Sequence, residues 1–407
     1  MNPALSNPFR PGAGHMPPYL AGRVAEAKEW GRLVRQDVIL ENLVLTGLRG
    51  TGKTVLLDTF KPVATGANWL WIGTDLSESS SLSEEHVVLR LLTDMAVVTA
   101  GFQVAEKERR AIGFGASTTK IPVRLDFETL DALYRGTPGL VSDKLRRVLE
   151  IAWAAIQARG IHGVVFAYDE AQNLADHAAR QQYPLSLLLD VFQSIQKKEI
   201  PFMLALAGLP TLFPGLVQAR TFSERMFRVV FLDRLTETES RDAIIKPIAA
   251  AGCPVKLNHR AVKQIIALSG GYPYFIQFVC REVYDAFLQG QRSIPVVEIT
   301  RKLDSDFFAG RWARATDRQR DLLTVIAGLD SAGTEFTVQE IAAKSAQVGG
   351  KAFSPSHVNQ MLAALAGNGL LYKNRHGKYC FAVPMFEKFI ARQSGGAGSA
   401  GATPRRR

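Results

Sequence analysis

The chain has 407 residues, 47% hydrophobic and 21% charged, which describes an ordinary soluble globular protein too long for one core, so two or three domains are expected. The uncharged stretch Pro201–Gln218 is short for a membrane span and broken by Pro210 and Pro214, and Met1–Arg10 lacks a signal-peptide hydrophobic region. The net charge is +11, and Arg311–Arg407 carries +8 of it (14 Lys+Arg against 6 Asp+Glu), which suggests a polyanionic partner such as nucleic acid.

Asn7–Arg23 is rich in Pro and Gly and predicts an extended arm, followed by a helix over Val24–Arg35. An apolar strand, Leu43–Thr46, runs into Gly47-Leu48-Arg49-Gly50-Thr51-Gly52-Lys53-Thr54, and an apolar helix follows. Glycines let the backbone approach a ligand closely, and successive N–H groups with a helix N-terminus can then surround a phosphate. The full G-x-x-x-x-G-K-[ST] pattern is present in the required strand–loop–helix context. Gly47, Gly50, Thr51, Gly52, Lys53, Thr54 and Val55 are therefore the candidate nucleotide-binding residues. Lys53 would reach the β- and γ-phosphates, and Thr54 would hold Mg²⁺.

Trp69–Gly73 predicts a second strand, and the serine-rich turn Ser77–Ser83 a cap for a helix over Glu84–Val98. Gly101–Gly139 has weak periodicity and reads as an insertion of irregular or short elements, without an assigned role. Leu140–Arg159 is an amphipathic helix, and Gly163–Tyr168 an apolar strand of the kind a parallel sheet buries on both faces. A helix over Leu185–Lys197, a strand over Phe202–Ala207, a helical stretch to Arg225 and a strand over Phe227–Leu232 complete the alternation. Five strands alternating with helices mean a doubly wound parallel sheet, with its ligand at the carboxyl ends of the strands.

From Thr236 the pattern is helical: Glu237–Ala251, His259–Ser269 and Tyr274–Leu288. Helices over Arg318–Gly328 and Val338–Ala346 follow, then one capped by Ser354 and Pro355 up to Gly367. Two short strands, Leu370–Lys373 and Tyr379–Val383, flank a basic turn, so this segment reads as a winged helix-turn-helix. The tail after Gln393 is expected to be disordered. The three cysteines (Cys253, Cys280, Cys380) are far apart and lack metal spacing, which suits reduced thiols in a cytoplasmic protein.

At the end of the third sheet strand stands Asp169-Glu170-Ala171-Gln172. Asp169 would hold Mg²⁺ together with Thr54, and Glu170 would orient or deprotonate an attacking water. With these motifs the chain resembles the AAA+ ATPases, especially the branch with a C-terminal winged helix that includes origin-recognition replication initiators. It also resembles the bacterial ATPases of transposition and secretion systems that carry Asp-Glu-Ala-Gln. The resemblance implies a P-loop NTPase (AAA+) α/β core, a helical lid and a winged-helix domain. It divides the chain into 1–36 (arm and first helix), 37–233 (core), 234–310 (lid), 311–393 (winged helix) and a basic tail.

It further implies ATP and Mg²⁺ as cofactors, a homo-oligomer formed on ATP binding, duplex DNA as a partner, and a protein client such as a transposase, helicase or nuclease. Ala21-Gly22-Arg23 resembles the family's Gly-Arg box near the adenine, though Arg23 as a surface charge fits equally. Arg220, Arg225 and Arg228 lie where the family places an arginine finger, and Arg225, just before the strand, is the choice for catalysis in a neighbour's site.

Two departures stand out. The end of the fourth strand reads Ala207-Gly208-Leu209-Pro210-Thr211, with only Thr211 as a candidate polar sensor. A lid helix opens Gly270-Gly271-Tyr272-Pro273-Tyr274, similar to the Gly-x-Pro motif of the STAND signalling ATPases, which would set Pro273 against adenine. The alternatives are therefore a STAND-like nucleotide switch with a regulatory winged helix, or the ATPase subunit of a transposition, mobile-element or defence system. In the winged helix, His357, Asn359 and Gln360 are the candidates to read bases, and Lys373, Arg375 and Lys378 to straddle phosphate.

Overall fold

In a computed structural model of the chain, which describes residues 7–12, 14–110, 118–252, 255–347, 352–375 and 377–397, the apolar runs become the strands of one five-stranded sheet. The side chains of residues 104–122, 375 and 395–397 lie outside that description, as do Cys253 and His376 altogether. Two compact units emerge: one holds Arg23–Thr46 and Lys53–Phe231, the other Met1–Gly22, Gly47–Gly52 and Leu232–Arg407.

The first unit is built on the sheet. Its strands are β1 (Asn42–Gly47), β2 (Trp69–Asp75), β5 (Gly163–Asp169), β6 (Phe202–Gly208) and β7 (Phe227–Leu232), with β3 (Gln103–Arg110) and β4 (Thr118–Arg124) outside it. The order is β2-β5-β6-β1-β7. β2 on β5, β5 on β6 and β6 on β1 pair in parallel, with Asp75 opposite Asp169 and Thr46 opposite Gly208. Every residue of β1, β5 and β6 is buried, as a sheet covered on both faces requires. The chain leaves β1 for the far edge at β2 and works back through β5 and β6. The carboxyl ends of β1 and β5 thus open at a crossover point, where α/β sheets place their ligands.

Side chains fix the flanking helices. Trp30 stacks on Phe60 at 5.0 Å and donates its indole N–H to the Phe60 carbonyl at 3.0 Å, tying helix Val24–Leu33 to helix Lys53–Gly66. Ser83 caps Glu84–Thr99 as its sequence suggests, accepting from the His86 N–H. The stretch expected to hold irregular or short elements contains short regular ones: β3 and β4 form an antiparallel hairpin, and Phe127–Gly136 is a helix capped by Asp126. Charges on successive positions of Ala-Glu-Lys-Glu-Arg-Arg hide the strand, because there is no period-two alternation to see. The short helix carries Leu130 and Tyr134 at helical spacing on one face, and both are buried.

The second unit has helices Glu237–Ala250, His259–Ser269 and Pro273–Leu288, then Val296–Leu303, a π-helical turn Asp304–Ala309 and Gly310–Trp312 in direct succession. Val296–Trp312 has no counterpart in the sequence reading. Helices Asp317–Ala327, Val338–Gln347 and Pro355–Gly367 follow, then a hairpin of β8 (Leu371–Arg375) and β9 (Lys378–Phe381) and a closing helix, Phe386–Ala397. That helix runs past Gln393, where the tail is expected to lose order. Phe386, Phe389 and Ile390 are buried and anchor its start, and the last turns propagate from there. Residues 398–407 lie outside the description. Phe275, Phe308, Leu362 and Phe386 belong to one continuous buried cluster, so the segments read as lid and winged helix share a core.

Candidate active site

The loop after β1 has the backbone that its glycines permit. Gly50 and Gly52 take φ of 79° and 89°, in the left-handed region that an L side chain enters only with strain. Gly47 ends β1. Inside the loop the buried Thr51 hydroxyl donates to the Leu48 carbonyl at 2.9 Å. Lys53 opens the following helix and is only 8% exposed. The first turn, which also contains Thr54 and Val55, has no acidic residue to offset the positive end of the helix dipole. At the other end of β1, Asn42 accepts from the Leu204 N–H at 2.8 Å and donates to the Met226 carbonyl at 3.1 Å. This buried amide clamps the strand that carries the loop, and no motif marks it in the sequence.

The Thr54 hydroxyl donates to Asp169 Oδ2, which joins the first helical turn to the end of β5. Asp169 is buried, and its Oδ1 accepts from the Glu170 N–H at 2.7 Å. Two further carboxylates share this neighbourhood. Asp58 lies one turn beyond Thr54 on the helix, and Asp75 pairs in register with Asp169. Burial first, then the charge of Asp169, pushes Asp58 above the ordinary carboxylate range. Asp75 is raised by burial, then by Asp169, Glu170 and Asp58. Carboxylates gathered in this way suit a cation.

Among the described residues no group of three or more acidic, His or Cys ligands could hold a metal by itself. Mg²⁺ would need only one or two protein oxygens here, with phosphate and water completing its shell. Asp58 and Asp75 are absent from the sequence reading. The signals were available: Asp58 follows Thr54 at helical spacing, and Asp75 ends an apolar run as Asp169 does.

Glu170 adopts φ 50°, a left-handed value that is uncommon for a non-glycine residue. Its Oε2 accepts from Gln172 Nε2 at 2.5 Å, while Gln172 Oε1 accepts from the Leu209 N–H at 2.9 Å. Gln172 thus bridges the candidate base to the end of β6, where the sequence offers only Thr211. Thr211 is exposed and makes no capping bond to the helix it precedes. Gly208 makes room for the bridge, because a Cβ there would lie 2.6 Å from Gln172 Oε1.

Arg23 is 10% exposed and pairs with Glu26 at 3.2 Å, so it is not a free surface charge. Pro273 occupies the first turn of Pro273–Leu288, after Gly270 and Gly271 with φ of 61° and 77°. The next residue, Tyr274, donates its N–H to the Gly50 carbonyl at 3.2 Å, which brings the Gly-Tyr-Pro segment against the glycine-rich loop. Of the three clustered arginines, Arg220 forks onto Asp190 at 2.7 and 2.6 Å, and Arg228 pairs with Glu29 at 2.9 Å. Arg225 is exposed and has no ion pair among the described residues.

In the C-terminal segment, Ser354 accepts from the His357 N–H, and Val358, Met361, Leu362 and Leu365 are buried. Ser356, His357, Asn359 and Gln360 are exposed along the opposite face. Lys373 is exposed at the hairpin, while Lys378 is half-buried and lies near enough to help lower Glu340. The Arg375 side chain is outside the described residues.

A family model described as a domain of unknown function (DUF8462) matches residues 305–390. No curated protein matches the sequence. Among solved structures, a Walker-type ATPase of Pyrococcus abyssi is similar with a TM-score of 0.57 and 14% identity, over 91% of this chain and 96% of that one. The ORC2 protein of Aeropyrum pernix in its ADP form is similar with a TM-score of 0.54 and 13% identity, over 96% of this chain and 98% of that one. Complexes of the same ORC2 protein with ADPNP and ADP give 0.52 and 13%, over 95% and 98%. At these identities the likeness shows the fold.

Proposed function

We propose that this chain, which has the fold of the AAA+ ATPases, binds ATP with Mg²⁺ and hydrolyses it. The observation that carries the reading is the Thr54–Asp169 bond beside a loop whose glycines take positive φ. Loop amides and Lys53 would receive the phosphates, and Thr54 and Asp169 would hold the metal. Bound there, Mg²⁺ would neutralise phosphate charge as it develops. Glu170 would take the proton of the attacking water, with Gln172 fixing its carboxylate. The test is equilibrium binding of a fluorescent ATP analogue with and without Mg²⁺, together with phosphate release. Binding that is indifferent to Mg²⁺, with no release, would overturn it.

The proposal extends to assembly. Arg225, exposed and without an ion pair among the described residues, is suited to reach a neighbour's phosphate. Arg225→Ala is expected to leave monomer ATP binding intact and remove assembly-dependent hydrolysis. Mixing it with Lys53→Ala should restore part of the activity, since intact arginines then meet intact pockets. No rescue in mixed oligomers shown to form would argue against action in trans.

Duplex DNA is the proposed partner of the C-terminal segment, supported by its basic balance and the exposed polar face of Pro355–Gly367. His357, Asn359 and Gln360 would meet base edges, and Lys373, Arg375 and Lys378 the backbone. Changing those three basic residues to alanine should weaken binding to every duplex and reduce the salt slope by up to about three, roughly one per phosphate contact. Fluorescence anisotropy across a salt series checks this, and an unchanged slope would refute the backbone role.

One observation favours a second reading, a slow nucleotide switch of STAND type: the Gly-Tyr-Pro helix start is bonded through Tyr274 to the loop itself. An initiator, a loader or a targeting subunit with a protein client remains compatible with either rate. No helix among the described residues is long and apolar enough to cross a membrane.

A further inference from the structure

A cleft of about 380 Å³ in the second unit gathers Arg49, Arg311 and Arg314, walled by Phe307 and by the turn that follows helix Pro355–Gly367. Arg311 is held rigidly: its Nη1 donates to the Phe307 carbonyl, and its guanidinium lies 4.3 Å over the Phe307 ring. The carboxylate lining the cleft, Asp306, accepts from the Ser305 hydroxyl at 2.6 Å. Among the described residues no carboxylate pairs with any of the three arginines. Burial first, then the charges of Arg49 and Arg314, pushes Arg311 below the ordinary guanidinium range, with Tyr274 opposing. Guanidinium groups do not shed their protons in proteins, so all three keep their positive charge.

From this cluster we infer a second anion site, one that takes a phosphate group. Three arginines line the cleft against one carboxylate, a positive balance that suits an anion with more charge and more acceptor oxygens than a carboxylate offers. The cleft is separate from the loop's amide cradle, yet Arg49 belongs to both neighbourhoods. Phe307 also lies 5.4 Å from the Tyr274 ring, and Tyr274 bonds to Gly50. The inference does not depend on ATP hydrolysis. The phosphate could belong to a free phosphate compound or to a nucleic-acid backbone.

The experiment uses the full chain in a Lys53→Ala background, which silences the loop as a phosphate site. Inorganic pyrophosphate is titrated calorimetrically at fixed ionic strength, and a labelled 20-base-pair duplex by anisotropy. The double change Arg49→Gln with Arg314→Gln is compared with Arg260→Gln, an exposed arginine elsewhere. Thermal melting confirms that each variant is folded. Pyrophosphate affinity is expected to fall at least about tenfold in the double variant and to stay constant in the control. If the natural source is nucleic acid, duplex affinity falls too, with a salt slope smaller by about two. If it is a free phosphate compound, duplex binding is unchanged. Pyrophosphate and duplex affinities both unchanged in the folded double variant would overturn the site.

Discussion

Glu170→Gln is expected to bind ATP as the parent chain does and to release phosphate about 10²–10⁴-fold more slowly, the usual worth of a positioned general base. The geometry makes this substitution a clean probe. The Glu170 N–H still donates to Asp169, and an amide oxygen at position 170 can still accept from Gln172 Nε2, so the bridge to Leu209 survives. What is lost is the ability to take a proton. Single-turnover phosphate release separates chemistry from product dissociation, and a Glu170→Gln rate equal to that of the parent chain would remove Glu170 from the role. Gln172→Ala gives a second reading of the same device. The carboxylate would remain but lose the donor that fixes it, so kcat should fall less than in Glu170→Gln while nucleotide affinity stays constant.

The second large effect is expected for Lys53→Ala. Lys53 is buried at the helix mouth, and the change removes a charge-assisted contact to phosphate of roughly 1.5–3 kcal/mol together with the local positive potential. Nucleotide affinity should weaken by at least about tenfold and up to about 150-fold from that contact alone. Titration of a fluorescent ATP analogue checks this, with circular dichroism to show that the sheet is intact. Affinity within threefold of the parent chain would place the phosphates elsewhere.

Much of this site was legible because its chemistry is local in sequence. Glycines at 50 and 52 and the lysine and threonine after them declare a loop that needs positive φ and a helix N-terminus. The apolar strand ending in Asp169 and Glu170 declares a carboxylate pair at a strand's carboxyl end. Other parts were hidden because their partners are distant in sequence. Gln172 reads as the last letter of a motif, and only the pairing of β5 with β6 shows that its amide spans from Glu170 to the Leu209 N–H. Asn42 reads as a polar residue opening a strand, and only the fold shows it clamping β1 to β6. The π-helical turn Asp304–Ala309 breaks the 3.6-residue period, so periodicity gives no warning of it.

By itself, the sequence determined the alternation of strands and helices, the phosphate-type loop, the carboxylate pair and a helical, basic C-terminal quarter. These are encoded in short-range periodicity, backbone permissiveness and composition, which need no knowledge of neighbours in space. The tertiary structure alone decided which arginines are spent on Asp190 and Glu29 and which is left at Arg225. It also gathered Asp58 and Asp75 around Asp169, and it brought Arg49 into one cleft with Arg311 and Arg314. Charge and hydrogen-bond partners depend on distances between residues far apart in the chain, and those distances exist only once the sheet order and the packing of the helices are set.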